Sequence, residues 1–329
     1  MKVSIWNARF ALFAALIGLV VSCGDEDGPT GPDVDPAVVA RGSYIVNHVA
    51  ACIDCHTPRT ITGELDLTKL LSGAPFADLD PANDAVGLIW APNLTPDSTG
   101  LMNWTDAEIK HAFQDGVDES GDALFPVMPY FVFHNMTAGD ADAVAAYLRS
   151  IPPVHNPVPE RQPLPFPFTQ AAQPIPEAAI PHTTLPANDP HYANAERGRY
   201  LAGLAGVCIE CHTPPAAGPV PVKVDSLFAG GRGFGAADLG LPSPPFPATI
   251  WSANITPDST GIRGVIPEQI LTELFTGLAP SGDRICPPMP VGPTGAFGGL
   301  TAQDALDIGW YVTTIPPLVH SVPHCEPMP

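Results

Sequence analysis

Apolar positions along this chain come in short bursts at helical spacing, each cut off by proline or glycine. One such stretch predicts a first helix over about 36–50, leading into a cysteine pair. A second helix opens on Thr105-x-x-Glu108, a capping box in which side chains satisfy the first free amides, and runs through Ile109, Ala112 and Phe113. A third starts at Thr137-x-x-Asp140 and reaches Arg149. The same three signals recur over about 191–206, from Pro267 to about Gly277, and from Thr301-x-x-Asp304 to Thr314. Both third helices stop at Ile-Pro-Pro, because proline lacks the amide and clashes with the preceding turn. No segment shows convincing strand alternation. The expected fold class is all-α with long loops.

The recurrence extends to the residues themselves. Arg41-Gly42-Ser43-Tyr44 returns as Arg197-Gly198-Arg199-Tyr200, and Cys52-Ile-Asp-Cys55-His56-Thr57-Pro58 as Cys208-Ile-Glu-Cys211-His212-Thr213-Pro214. Asn93-Leu-Thr-Pro-Asp-Ser-Thr-Gly100 returns as Asn254-Ile-Thr-Pro-Asp-Ser-Thr-Gly261, and Met128-Pro129 as Met289-Pro290. The order is kept while the offset drifts through small insertions, which reads as a tandem duplication. Two domains follow, 37–156 and 191–326. The proline-rich 157–190 between them reads as a semi-rigid linker, strapped across both domains through Phe166 and Phe168.

Proline is 42 of 329 residues, about 13% against roughly 5% on average, which excludes a long-helix or coiled-coil protein. The charge balance is 14 Lys+Arg against 34 Asp+Glu, too few cations for a basic patch, so nucleic acid is excluded as a partner. Lys2 and Arg9 precede an apolar run from Phe10 to Val21, the layout of a signal peptide over 1–22. Val20-Val21-Ser22-Cys23 resembles a bacterial lipobox, with Val where Leu is usual. Cys23 would then be acylated and anchor the chain to the periplasmic side of a bacterial membrane. Residues 23–36, acidic and rich in Gly and Pro, read as a flexible tether. Without the leader, 12 cations and 34 anions leave a net charge of −22.

Cys-x-x-Cys-His is the attachment signature of c-type haem: two thiols spaced for the porphyrin edge, then a histidine placed to ligate iron. Cys52, Cys55 and His56 form one such set, and Cys208, Cys211 and His212 the other, implying two covalently bound haem c groups. A shared zinc site and a pair of thioredoxin-like redox sites are the rival readings. The first meets two pairs 156 residues apart, and the second lacks a βαβ context. Met128 and Met289 fall at matching positions between the second and third helices, and are the expected sixth ligands. Met102 and Met136 have no such match and read as packing residues. His48, His111 and His134 lack histidine counterparts, and His155 and His320 match only with a one-residue gap. All five read as surface or loop residues. Cys286 and Cys325 are left over and are expected to pair as a disulfide.

With these motifs on view, the chain resembles the class I cytochrome c domains of cytochrome subunits from bacterial membrane-associated dehydrogenases, the alcohol and gluconate type. The resemblance rests on Gly198-x-Tyr200, Cys208-x-x-Cys211-His212-Thr213, Phe228-Ala-Gly-Gly231, Ser252-x-Asn254-Ile-Thr-Pro-Asp-x-x-Thr-Gly261 and Met289-Pro290. The first repeat adds Trp104-Thr105 and Met128-Pro129-Tyr130, but has Leu71-Ser-Gly-Ala for the Phe-Ala-Gly-Gly run. The resemblance implies two tandem cytochrome c domains. In each, the first and third helices would cross, with Gly42 and Tyr147, or Gly198 and Tyr311, at the contact. It also implies a non-catalytic electron carrier whose partners are redox proteins: a dehydrogenase, a quinol-side enzyme or another cytochrome. A dihaem redox enzyme, such as a peroxidase or thiosulfate-oxidising cytochrome, is the alternative, and needs one iron with an open or labile face.

Overall fold

Asp35 and Pro36 begin the first helix as local chemistry dictates: the Asp35 carboxylate accepts the Ala37 amide at 2.9 Å, and proline takes a first-turn place where no amide is needed. The computed structural model describes residues 34–61, 63–78, 88–159, 170–235 and 246–324. The expected leader, Cys23, Phe166, Phe168 and Cys325 lie outside these residues. Helix α1 (Pro36–Tyr44) runs into a π-turn (Ile45–Val49), and α2 (Cys52–His56) follows at once. Then come α3 (Asp106–Asp115), the short α4 (Tyr130–Phe133) and α5 (Ala138–Ser150). The second repeat supplies α6 (Tyr192–Gly203), α7 (Cys208–Cys211), α8 (Pro267–Thr276) and α9 (Ala302–Val312). Among the described residues helix, at 37%, far outweighs strand, at 7%.

The strand-free expectation needs one correction. Ala74–Asp78 (β1) pairs with Leu88–Ala91 (β2), and Gly233–Gly235 (β3) with Thr249–Trp251 (β4), as two antiparallel ribbons. Runs of three to five residues are too short to show a period-two pattern. The helix signals are realised at atomic detail. Thr105 and Glu108 exchange bonds as a capping box (Thr105 N–H to Glu108 Oε2, 2.6 Å), and Gly116 closes α3 at φ 71°. The Thr137 and Thr301 hydroxyls cap α5 and α9.

Each repeat is built on one helix crossing, α1 on α5 and α6 on α9. A Cβ on Gly42 would sit 1.8 Å from the Ala143 carbonyl oxygen, and one on Gly198 2.0 Å from that of Asp307. Tyr147 and Tyr311 flank these contacts, as the resemblance implied. Glycine is required because the two backbones touch. Beside each crossing an arginine is paired: Arg41 bonds Asp140 through two nitrogens, at 2.8 and 2.7 Å, and Arg197 pairs with Asp304 and Asp307.

The tyrosine of each Arg-Gly-x-Tyr motif turns to the other repeat. Tyr44 donates to Asp304 Oδ2 (2.6 Å) and accepts from the Thr301 amide (3.1 Å). Tyr200 donates to Asp140 Oδ2 (2.6 Å) and accepts from the Thr137 amide (3.3 Å). Each aspartate therefore binds an arginine from its own repeat and a tyrosine from the other, a reciprocal arrangement like that across a two-fold interface. Residues 170–190 touch both repeats. Ile175 donates its amide to Phe131 O (2.9 Å), Thr184 donates its amide to Thr314 O (2.8 Å), and Ile175 and Ile180 are wholly buried. This stretch thus contributes to the core as well as crossing the surface.

Gly198→Ala should lower stability by about 1–3 kcal/mol, the usual cost of overpacking, while Gly139→Ala, exposed with open space around its Cβ position, should not. Thermal unfolding of the two variants checks this. A second expectation concerns pH. Burial pushes the Glu273 carboxyl on α8 up to about 7. The folded form then holds its proton more tightly than the unfolded form, so this stabilisation is complete below the ordinary glutamate range and is lost as pH rises through about 7. Glu273→Gln should raise the melting temperature at pH 8 and leave it unchanged at pH 4.

Candidate haem-attachment sites

Both Cys-x-x-Cys-His motifs sit just past the end of a first helix, on a turn too short to be stable alone, and tertiary bonds hold them. In the first, the His56 carbonyl accepts the Gly73 amide (2.8 Å) and the Thr57 hydroxyl accepts the Leu71 amide (3.0 Å). In the second, the His212 carbonyl accepts from Gly230 (2.7 Å) and the Thr213 hydroxyl from Phe228 (3.1 Å). Leu71 and Phe228 occupy the left-handed region, at φ 58° and 65°, with wholly buried side chains. A non-glycine residue there costs of order 1–3 kcal/mol and persists only where packing overrides it. Leu71 and Gly73 thus repeat the left-handed backbone of Phe228 and Gly230, and the two runs part at the fourth position, where Gly231 is left-handed at φ 89° and Ala74 is extended in β1.

Both histidines are buried, and each ring bonds a backbone carbonyl through Nδ1. His56 donates to Pro92 O at 2.8 Å, and His212 to Ala253 O at 2.7 Å. A carbonyl can only accept, so Nδ1 carries the proton and the lone pair lies on Nε2. Burial lowers both pKa values, which keeps the rings neutral. A neutral imidazole with a fixed tautomer and a free Nε2 is the form that ligates a metal.

The accepting carbonyls are held by the Asn-x-Thr motif that follows them. Asn93 Oδ1 accepts from the Thr95 amide (2.9 Å) and hydroxyl (2.8 Å), and Asn93 Nδ2 donates to Thr99 Oγ1 (2.9 Å) and Val154 O (2.9 Å). Asn254 repeats this with Thr256, Thr260 and Leu318 O. Val154 and Leu318 belong to the chain after each Ile-Pro-Pro, so the third helix's exit is tied to the histidine's carbonyl. Two residues on, His320 bonds Ala229 O (2.8 Å) where Asn156 bonds Ser72 O (2.8 Å). His320 therefore matches Asn156 and is a tethering residue, a correction to the loop reading. His155 is exposed beside Asp97.

The four thiols are free, and burial pushes those of Cys52, Cys55 and Cys208 up to about 12, with Cys211 raised as well. They are protonated at neutral pH, unlike the low-pKa thiolate of a thioredoxin-type site. Among the described residues no group of three or more His, Cys, Asp and Glu side chains is placed to hold a metal ion. The surroundings differ in charge. Glu210 is paired with Arg232 at 2.8 Å, whereas Asp54 lies 3.8 Å from Arg59 and burial pushes its carboxyl up to about 6. Ser72 Oγ and Arg232 Nε are buried donors without an acceptor. They are the type of group that haem propionates would satisfy, so the residues present fit the cofactor.

Met128 and Met289 occupy equivalent turns. The Met128 amide donates to Phe125 O (3.0 Å) and the Met289 amide to Cys286 O (3.4 Å), and each methionine carbonyl accepts the amide two residues on at 2.9 Å. Both side chains are half-buried at the edge of the apolar core, where Cys52 and Cys208 also pack. Met136 is buried as expected, but Met102 is exposed at 51%, which corrects its packing role. Cys286 is disulfide-bonded, and Cys325, the partner expected for it, lies outside the described residues. His111 and His134 are exposed and share Asp115. His48 departs from its surface reading: it lies on the π-turn and bonds the second repeat at Ala296 O (2.9 Å).

No family model matches the chain. Its curated relatives, at about 30% identity over half the chain or more, are cytochrome c subunits of alcohol, gluconate and fructose dehydrogenases and a dihaem cytochrome c. It is 31% identical over 229 residues to the cytochrome c subunit of a quinone alcohol dehydrogenase from Gluconobacter oxydans, covering 67% of this chain and 44% of that one. It is 30% identical over 220 residues to the gluconate 2-dehydrogenase cytochrome c subunit of Pantoea cypripedii, covering 62% and 44%. With a dihaem c-type cytochrome of Cereibacter sphaeroides it shares 30% over 183 residues, covering 53% and 57%. The chain thus spans about two fifths of the length of the dehydrogenase subunits it matches. It is similar to the cytochrome c subunits of dehydrogenases.

Asn254→Ala strands the buried Thr256 amide, at about 1–3 kcal/mol for a group left unsatisfied, while Leu318 O keeps the Thr256 hydroxyl at 3.3 Å. It should also free the His212 ring. The expected result is a lower melting temperature and a broadened low-spin haem spectrum, read by calorimetry and electron paramagnetic resonance.

Proposed function

We propose that the chain is an exported dihaem c-type cytochrome relaying single electrons between a dehydrogenase or quinol-side donor and a downstream acceptor. The observation that carries this is the paired proximal geometry: two Cys-x-x-Cys-His turns, each with its histidine Nδ1 bonded to a fixed carbonyl. Cys52 and Cys55, and Cys208 and Cys211, would hold the porphyrin edge through thioethers. His56 and His212 would ligate iron through Nε2, and Met128 and Met289 would close the opposite faces. Bound haem supplies a one-electron iron couple, and methionine ligation favours its reduced state. With both faces taken by protein, no position is left for substrate, which favours a carrier over a dihaem redox enzyme. The carboxylate-rich chain, with 12 cations and 34 anions once the leader is removed, would steer a basic docking face by long-range attraction.

The same reading divides the chain into domains at 37–156 and 191–326 joined by 157–190. It places the protein at the periplasmic side of a bacterial membrane, held by acylated Cys23. It pairs Cys286 with Cys325, tying the Met289 turn to the C-terminal tail.

The test is the visible spectrum of the reduced holoprotein with and without carbon monoxide, beside a haem count. Two haems per chain and no carbon monoxide shift are expected. A shift in about half the haem would mark one open iron and favour the enzyme reading. Met289→Ala should open one iron of the two. Mass spectrometry of an unreduced digest should recover the Cys286–Cys325 peptide pair, and two free thiols there would refute that bridge.

A further inference from the structure

Among the described residues, His48 is the one histidine of the first repeat whose ring bonds the second repeat. Its position matches Leu204, which is buried, so the duplication does not explain it. The π-turn Ile45–Val49 that presents it follows α1, whereas α6 ends at Gly203. Such single-turn widenings are often found at functional sites.

Three contacts define what His48 does. Its Nδ1 donates to the Ala296 carbonyl at 2.9 Å. The same peptide unit donates the Phe297 amide to Pro290 O at 2.9 Å, and Pro290 directly follows Met289. The imidazole is thus two hydrogen bonds from the Met289 turn, joined through one polarised peptide. The fit is close, because a Cβ on Gly299 would lie 2.1 Å from His48 Cε1. Finally, His48 and Val49 line a small apolar cavity together with Cys208, Leu274, Phe297 and Leu300 of the second repeat. The Tyr44 ring, 5.9 Å from that of His48, carries the hydroxyl bonded to Asp304, so the interface clamp and this contact lie on one turn of helix.

We infer that His48 is a positioning residue for the second haem site, contributed by the first repeat: it braces the peptide that holds the Met289 turn. The inference rests on the dihaem reading and on Met289 as a ligand. It makes the second site incomplete without the first repeat. At the position matching His48 the second repeat carries Leu204, whose side chain has no polar atom for such a bond.

The test uses the full-length holoprotein and three variants, His48→Leu, His48→Asn and Met289→Ala. His48→Leu removes the donor. His48→Asn keeps an amide N–H in the place of Nδ1. The readouts are carbon monoxide binding to the reduced protein and the near-infrared band of the sulfur–iron(III) bond. In His48→Leu the carbon monoxide-reactive fraction should rise to about half the haem, with half the near-infrared band lost. His48→Asn should restore wild-type behaviour, and Met289→Ala should mark the fully open second site. Gly299→Ala, which crowds the same contact from the other side, should match His48→Leu and carries the test if His48→Leu does not fold. Wild-type spectra in both His48→Leu and Gly299→Ala, with Met289→Ala open, would overturn the inference and keep the dihaem reading. Equal loss at both haems would also overturn it. A closed Met289→Ala would overturn both the inference and the ligand assignment beneath it.

Discussion

Direct contact between two helix backbones, made once in each repeat, is the constraint on which the rest of this structure hangs. At Gly42 and Gly198 a side chain of even one carbon would overlap a carbonyl oxygen of the opposing helix. That approach sets where the first helix ends, and the Cys-x-x-Cys-His turn begins within a few residues of that end. It also sets where the third helix ends, and the chain leaving it returns to brace the histidine carbonyl through Asn93 or Asn254. Both lines of support for the histidine ring therefore trace back to one helix crossing.

The second organising feature is the division of labour in Arg-Gly-x-Tyr. Arginine pairs within the repeat, glycine admits the neighbouring helix, and tyrosine reaches the other repeat. Asp140 and Asp304 receive both kinds of partner, so helix crossing and repeat pairing share the same carboxylates. Multiple donors to one carboxylate hold it below its ordinary pKa, as at Asp140, where bonds from Arg41 and Tyr200 prevail over burial. A disturbance at either aspartate would be felt within a repeat and between the repeats together.

The matched bonding of the two repeats also shows where they diverge. Proximal supports agree almost bond for bond, including left-handed Leu71 and Phe228. Charge around the cysteines does not: a close Glu210–Arg232 pair stands in one repeat, and a looser Asp54–Arg59 pair in the other. Divergence therefore lies in the electrostatics beside each site, while the geometry that fixes each histidine is retained.

Much of this was legible from residues alone, because it is local or repeated. Capping boxes, proline stops and the Cys-x-x-Cys-His spacing act over three or four residues, and the duplication exposed the matching Met128 and Met289 turns. The short ribbons escaped because strands of three to five residues show no period. What only the tertiary structure decided are contacts between residues far apart in the chain: Tyr44 with Asp304, His48 with Ala296, Ile175 with Phe131, and His320 in the place of Asn156. Sequence periodicity records which face of an element is apolar. It carries no record of which distant carbonyl lies within hydrogen-bond reach of an imidazole, and the packing of the two repeats settles that.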